Sequence, residues 1–152
     1  MPRTLVRLPN WLGDIVMALP ALRALAEWPQ TGTLALAAPA AFVPIARMVR
    51  GIDHVVPLAS TGRGYGAAFA ADVARVREGR YDRVVLLTNS FGSAWMAWRA
   101  GVPERLGYRI DWRGALLTRA VPRRPSPGDS RHPSHYYLRL LPRLDVPVPA
   151  HA

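Results

Sequence analysis

The sequence predicts an α/β domain with a doubly wound, Rossmann-like parallel sheet. Short apolar runs alternate with helical patterns as far as Tyr108, and this alternation implies right-handed βαβ crossovers. The run Asp82–Leu87 is apolar after its first two residues, as expected of a strand covered on both faces of a sheet. A chain of 152 residues has the length of one domain, and half of its residues are apolar. It is therefore large enough to bury a core.

Residue patterns define five strands and five helices in chain order. Strands are predicted where apolar residues form short runs, at Thr4–Leu8, Thr33–Ala37, Asp53–Leu58, Asp82–Leu87 and Arg105–Tyr108. Helices are predicted where apolar residues recur at helical spacing or a cap marks the start, at Ile15–Trp28, Pro39–Val49, Gly66–Glu78, Ser93–Ala100 and Ser134–Leu144. Asp14 stands at the N-cap position of the first helix. Pro20 and Pro142 are expected to kink or shorten the helices that contain them.

The composition changes after Tyr108. Residues 99–143 hold ten Arg against three acidic residues, and 122–133 contain four Pro with one Gly and two Ser. Such a stretch is typical of an irregular loop, while Val146–Pro149 resembles an extended linker. We therefore expect one domain over residues 1–145 and the start of a linker at 146–152.

The net charge of +10 predicts an anionic partner or substrate, or no partner, and excludes a cationic one. All 20 basic residues are Arg, against 10 acidic residues. The absence of Cys excludes disulfides, thiolate zinc sites and cysteine nucleophiles, and the four scattered His do not suggest a metal site. Nucleic-acid binding is disfavoured because neither a recognition helix nor an aromatic-basic platform is visible. The first 26 residues could also be interpreted as a secretory leader, but Asp14 interrupts their apolar stretch.

The loops after the predicted strands are the places to search for a ligand site, because ligands of such sheets bind beyond the carboxyl ends of the strands. The first of these loops holds Gly13, which permits close backbone approach, and Asp14. That carboxylate is either a helix cap or a general base that accepts a proton from a hydroxyl. Gly62–Ala67 matches a dinucleotide fingerprint, but it follows the third strand rather than the first, so we do not favour dinucleotide binding.

Several segments resemble one known family, and they occur in that family's order. Residues 9–25, PNWLGDIVMALPALRAL, closely resemble the opening of glycosyltransferase family 9, the lipopolysaccharide heptosyltransferases. The Asn-Trp-Leu-Gly-Asp form is most similar to the heptosyltransferase II branch. Further similar segments are Leu87–Ala94, Ala100–Tyr108, Arg113–Thr118 and His135–Leu138. Together they cover nearly all of residues 1–149.

The resemblance implies the N-terminal, acceptor-side half of a GT-B glycosyltransferase, in which two Rossmann-like domains face a cleft. Family members transfer heptose from ADP-heptose to the acidic inner core of lipopolysaccharide, with inversion and with neither metal nor other cofactor. Asp14 matches the proposed general base. The C-terminal domain that binds most of the sugar nucleotide has no counterpart here, so we expect this chain to be inactive without a second Rossmann domain in cis or in trans. The resemblance also implies a cytoplasmic protein, with peripheral association at the inner membrane.

Acceptor-binding candidates are polar, aromatic or flexible residues in the predicted loops and the basic segment. They are Asn10, Trp11, Gly13, Arg63, Asn89, Ser90, Arg109, Arg113 and Arg119. Arginine forks bind carboxylates and phosphates, although each of these Arg could instead be an ordinary surface residue. Asn and Ser could equally serve turn chemistry. A stand-alone binding module for anionic glycans or glycolipids is the alternative function.

Three tryptophans carry further expectations. Trp95 and Trp98 lie three residues apart in a predicted helix, and this pair predicts packing in the core or at a domain interface rather than a sugar platform. Trp112 stands where the family is expected to have a small residue, which is a departure from its pattern.

Overall fold

The computed structural model describes residues 1–60, 64–124, 127 and 132–148, and these form a six-stranded parallel sheet with helices on both faces. The strand order is β3-β2-β1-β4-β5-β6. The strands are β1 (Arg3–Arg7), β2 (Thr33–Pro39), β3 (His54–Leu58), β4 (Arg83–Leu86), β5 (Glu104–Arg109) and β6 (Arg119–Pro122). The helices are α1 (Leu12–Glu27), α2 (Val43–Ala46), α3 (Ala67–Glu78), α4 (Phe91–Arg99) and α5 (Pro133–Leu138). This architecture confirms the predicted fold class.

Alternate residues of each strand supply two separate apolar cores, as the pleat of a strand requires. Val6 of β1 and Val85 of β4 pack with α1, α2 and α5 on one face of the sheet. Leu5 of β1 and Val84 of β4 pack with α3 and α4 on the other. The register places Leu5 beside Ala35 and Val84, so the two central strands are covered on both faces.

Some element boundaries differ from the prediction. Helix α1 begins at Leu12, before Asp14, and continues through Pro20 to Glu27. The helix predicted at Pro39–Val49 is reduced to a short 3₁₀ turn followed by α2. Strand β6 was not predicted, because it is only four residues long and ends in Pro122. The last predicted helix consists of α5 and a separate 3₁₀ turn at Leu141–Leu144 that contains Pro142.

Gly32 sets the start of β2. It has φ +68°, and a Cβ atom there would lie 2.0 Å from the carbonyl oxygen of Pro2. That same oxygen accepts a hydrogen bond from the backbone N–H of Thr33 (3.0 Å). Both the left-handed backbone and the close approach therefore require glycine.

Asp72 of α3 anchors the loop that follows β3. Its side chain is fully buried, and its two carboxylate oxygens accept hydrogen bonds from the backbone N–H groups of Ala59 (2.7 Å) and Ser60 (2.9 Å). The guanidinium of Arg75 lies 3.4 Å from the same carboxylate. A buried carboxylate thus satisfies two backbone donors that leave the sheet.

The segment after the last 3₁₀ turn packs back onto the sheet. Val146 is buried in the same core as α1 and α5, and Val148 lies against that core. The linker placed at 146–152 stays a prediction, and residues 149–152 lie outside the described part of the chain. No helix of the described residues is long and apolar enough to cross a bilayer.

We expect Asp72→Asn to lower the free energy of unfolding by about 1–3 kcal/mol. An amide keeps only one acceptor oxygen, so one of the two partly buried loop N–H groups would lose its partner. Urea unfolding followed by circular dichroism measures the change. Glu78→Gln on the exposed end of the same helix is the control, and equal midpoints for the two variants would contradict the assigned anchor.

Candidate active site

The sheet has a topological switch point between β1 and β4. These strands are neighbours, but the helix after β1 packs on one face of the sheet and the helix after β4 packs on the other. The two loops therefore diverge at the carboxyl edge of the sheet, where sheets of this class bind ligands. We call the region between these loops the crevice. Both loops were predicted as ligand loops from the sequence.

Asp14 lies on one wall of this crevice, in the first turn of α1. Trp11, rather than Asp14, is the N-cap, and its side chain makes no capping hydrogen bond. The cap prediction was wrong because the helix begins at Leu12, three residues before the predicted start at Ile15, so Asp14 occupies its third position. A carboxylate there is favoured by the partial positive charge of the helix N-terminus. Asp14 is exposed, as is Trp11 at 73%.

Gly13 leaves open space above the same turn. A Cβ atom placed on it would meet no atom within 4 Å, and its φ does not lie in the left-handed region. The fold of the described residues therefore does not need glycine at this position. What the missing side chain provides is access to the backbone beside Asp14.

Arg7 holds the loop that carries Asn10. This arginine ends β1 and is only 7% exposed. Its guanidinium donates to the carbonyl of Leu8 and, over 2.8 Å, to Oδ1 of Asn10. Burial lowers the pKa of Arg7 from 12.5 to about 10, an effect that the charge of Asp72 partly offsets. The buried cation of Arg7 thus orients the exposed Asn10. From the sequence, Arg7 is predicted only as part of a strand.

The opposite wall of the crevice is the loop after β4. Asn89 is exposed, and its Nδ2 donates a hydrogen bond to the hydroxyl of Tyr136 on α5 (2.6 Å). Ser90 is the N-cap of α4, where its Oγ accepts from the N–H of Ser93 (3.2 Å). The structure thus shows the turn chemistry of Ser90, and its role in acceptor binding stays a prediction. Asn89 instead connects the crevice to α5.

Arg113 is a buried brace rather than an exposed ligand. Its side chain is fully buried, and burial lowers its pKa from 12.5 to about 10. Nε donates to the carbonyl of Tyr108 (2.8 Å), and Nη1 donates to the carbonyls of Thr88 (2.7 Å) and Ser90 (3.1 Å). These last two carbonyls flank Asn89, so the guanidinium fixes the loop that presents it. The sequence predicts that Arg113 binds the acceptor with an exposed guanidinium. The burial of this side chain corrects that expectation.

The remaining predicted arginines do not form one cluster. Arg109 is exposed at the carboxyl end of β5, on the crevice side of the sheet. Arg119 begins β6 at the opposite edge, where its Nε lies 2.8 Å from Oε1 of Glu104 and its Nη1 donates to the carbonyl of Arg143. It therefore does not join the group around Asp14. Arg63 and part of the Gly62–Ala67 fingerprint lie outside the described residues.

Three tyrosines near the crevice were not among the predicted site residues. Tyr108 and Tyr136 stack with ring centroids 4.5 Å apart, and the Tyr108 hydroxyl donates to the carbonyl of Tyr136. Tyr137 of α5 is buried in the core that α5 shares with α1. Burial raises the pKa of Tyr137, and the negative charge of Asp14 raises that pKa further. The adjacent Tyr136 and Tyr137 in the last predicted helix could have indicated these residues. The sequence pattern, however, does not show that α5 lies beside α1.

The described residues contain no group of three or more His, Cys, Asp or Glu side chains placed to hold a metal ion. The elements on the two sides of the crevice carry one carboxylate, two amides and an exposed indole. This set can form hydrogen bonds with hydroxyl groups and can accept a proton from one.

Comparison with known proteins identifies the family. The model for glycosyltransferase family 9 (heptosyltransferase) matches residues 71–140. Lipopolysaccharide heptosyltransferase 2 of Escherichia coli K12 is 34% identical over 114 residues, which are 72% of this chain and 32% of that protein. The same enzyme of Salmonella typhimurium LT2 is 34% identical over 117 residues, 74% of this chain and 32% of that protein. The chain belongs to glycosyltransferase family 9. It spans about a third of the length of these relatives.

Solved structures of the family share the fold. The E. coli ADP-heptose lipopolysaccharide heptosyltransferase II matches with a TM-score of 0.71 at 27% identity, over 97% of this chain and 44% of that one. A family 9 glycosyl transferase from Veillonella parvula matches with a TM-score of 0.75 over 96% of this chain and 42% of that one; its 18% identity supports the fold alone. This family 9 domain therefore has the fold of one half of a GT-B enzyme, as the sequence predicted.

We expect Arg113→Met to lower the free energy of unfolding by about 3 kcal/mol or more, because one carbonyl of β5 and two of the loop after β4 lose a charged donor. The midpoint of urea unfolding measures this loss. Arg109→Met removes an exposed arginine of the same edge and is expected to change stability by less than about 0.5 kcal/mol. If both variants unfolded at the wild-type midpoint, the brace would not hold the loop.

Proposed function

We propose that this chain is the acceptor-binding half of a heptosyltransferase, with Asp14 as its general base. The observation that carries the proposal is the position of Asp14, which is exposed in the first turn of α1 at the switch-point crevice. Gly13 leaves the backbone beside it open. An acceptor hydroxyl could therefore reach the carboxylate with no rearrangement of the chain.

The proposed step requires a base because a sugar hydroxyl is a poor nucleophile. As the acceptor oxygen forms a bond to the anomeric carbon of ADP-heptose, its proton moves to a carboxylate oxygen of Asp14. The bond between that carbon and the phosphate oxygen breaks, and ADP leaves with the electron pair. Attack on the face opposite the leaving group inverts the anomeric configuration. Removal of water from a closed cleft would strengthen the electrostatic interactions of the carboxylate.

We assign acceptor recognition to the two walls of the crevice. Asn10 and Asn89 are exposed amides with fixed orientations, set by Arg7 and Tyr136 respectively. Trp11 is an exposed aromatic surface next to the base, and Arg109 supplies a cation at the same edge. The acidic inner core of lipopolysaccharide carries the carboxylates and phosphates that such a cation binds.

The donor would be held by a second Rossmann domain, in cis or in trans, facing this crevice. We therefore propose that the chain binds acceptor but does not turn over ADP-heptose alone. Its place would be the cytoplasmic face of the inner membrane, where a lipid-anchored acceptor can reach the crevice. The alternative is a stand-alone module that binds anionic glycans or glycolipids. The net charge of +10 is complementary to an anionic ligand of this kind, and turnover of donor by the assembled protein separates the two functions.

Asp14→Asn should lower kcat of the chain joined to a donor-binding half by about 10²–10⁴-fold. An amide of the same shape cannot accept the proton, whereas the fold and the donor KM should stay unchanged. Steady-state release of ADP measures kcat. Glu27→Gln at the other end of α1 is the matched control, and near-normal turnover of the Asp14→Asn enzyme would remove this carboxylate from the mechanism.

Gly13→Ala tests the close approach of the acceptor. The added methyl group meets no atom of the described chain and replaces glycine in a helix, so stability should be kept or raised by up to about 1 kcal/mol. Acceptor affinity should nevertheless fall at least about tenfold, which corresponds to about 1.4 kcal/mol. Titration calorimetry with a lipopolysaccharide core oligosaccharide measures it.

The control is Gly92→Ala, which changes the same helix position in α4 and would make only ordinary contact with Tyr65. Unchanged acceptor affinity in the Gly13→Ala variant would mean that the acceptor does not approach the first turn of α1.

A further inference from the structure

The outer face of α4 presents a ladder of stacked aromatic rings. Phe91, Trp95 and Trp98 are spaced four and three residues apart, so they fall on one side of the helix. The rings of Phe91 and Trp95 are 6.1 Å apart, and those of Trp95 and Trp98 are 5.1 Å apart, with interplanar angles of 20° and 14°. Phe91 is 42% exposed and Trp98 47%. Of the two kinds of packing predicted for Trp95 and Trp98, packing in the core fails for Trp98, and packing at a domain interface stays a prediction.

Neighbouring elements extend this aromatic face. Tyr65 is 58% exposed and lies beside Gly92 at the start of α4. Trp112 is 87% exposed, on the 3₁₀ helix that packs against α4. Large aromatic side chains are thus presented by three adjoining segments on the same face of the sheet. Soluble domains rarely expose such surfaces without a partner.

The ladder is accompanied by arginines. The guanidinium of Arg99 lies over the Trp95 ring, 5.8 Å from its centroid, and Arg77 of α3 donates to the carbonyl of Arg99 (2.8 Å). Helix α4 contains no acidic residue, although Glu78 lies next to Arg77 on α3. Tryptophan and arginine together are the side chains that favour the boundary between lipid headgroups and acyl chains.

We propose that this face, defined by Phe91, Trp95, Trp98, Arg77 and Arg99, docks on the surface of an anionic lipid bilayer. The rings would enter the headgroup layer while the two guanidinium groups bind lipid phosphates. A second copy of the chain fits the surface less well, because symmetric pairing would bring arginines of like charge together and each copy carries a net charge of +10. A bilayer instead offers the complementary charge.

The position of the face agrees with the proposed function, on which its biological meaning rests. The ladder begins at Phe91, directly after Ser90 in the crevice loop. A bilayer in contact with α4 would therefore lie next to the crevice, and a lipid-anchored acceptor would reach Asp14 without leaving the membrane.

Vesicle sedimentation with the full chain tests the docking face. We expect binding to vesicles of phosphatidylglycerol and phosphatidylcholine, and at least tenfold weaker partitioning to phosphatidylcholine alone. Trp95→Ala/Trp98→Ala should weaken partitioning to the anionic vesicles at least tenfold. Arg77→Gln/Arg99→Gln should weaken it by about fivefold per arginine, and it leaves the stacked rings in place in case the tryptophan variant does not fold.

Matched controls on the opposite face of the sheet separate docking from general charge attraction. Met48→Ala removes a side chain that is 79% exposed, and Arg47→Gln/Arg50→Gln removes two exposed arginines beside it. Equal loss in these controls, or no binding to anionic vesicles, would overturn the proposal. So would a dimer in sedimentation velocity that the tryptophan variant dissociates. No lipopolysaccharide or nucleotide is present, so failure here leaves the proposed transfer reaction standing, whereas failure of the Asp14 test leaves vesicle binding intact.

Discussion

The pairing of β1 with β2 on one side and β4 on the other is the interaction on which the structure depends. Thr4, Leu5 and Val6 of this central strand are fully buried, so both helical layers are built on it. Because the helices after β1 and β4 leave for opposite faces, the same pairing opens the crevice at their carboxyl ends. The core and the candidate active site are therefore consequences of one arrangement.

The walls of the crevice are fixed by buried cations. Arg7 orients Asn10 from inside the sheet, and Arg113 bonds the carbonyls on both sides of Asn89. Burying a guanidinium is costly unless its donors find acceptors, and here the acceptors are mainly loop carbonyls. These hydrogen bonds hold two loops rigid, and each of the loops carries an exposed amide. They are a suitable support for recognition of a substrate rich in hydroxyl groups.

The pattern of the sequence was sufficient to locate the first five strands, because the buried positions of each form a short apolar run. It placed Asp14 at the start of the correct helix, but not at the correct position in that helix, since an acidic residue is favoured both at the cap and in the first turn. It could not anticipate that Arg113 is buried or that Asn89 bonds Tyr136, 47 residues further along the chain. Such contacts depend on tertiary placement, which local patterns do not encode. The exposure of Trp98 also depends on tertiary placement.

The contact between Arg113 and Gly107 links two positions in evolutionary terms. A Cβ atom on Gly107 would lie 2.6 Å from Nη2 of Arg113. The guanidinium therefore occupies space that any side chain at residue 107 would fill. A lineage that first replaced Gly107 would displace the arginine, and one that first lost the arginine would release the constraint on the glycine. The two positions are therefore expected to covary among homologous sequences, with changes at residue 113 preceding changes at residue 107.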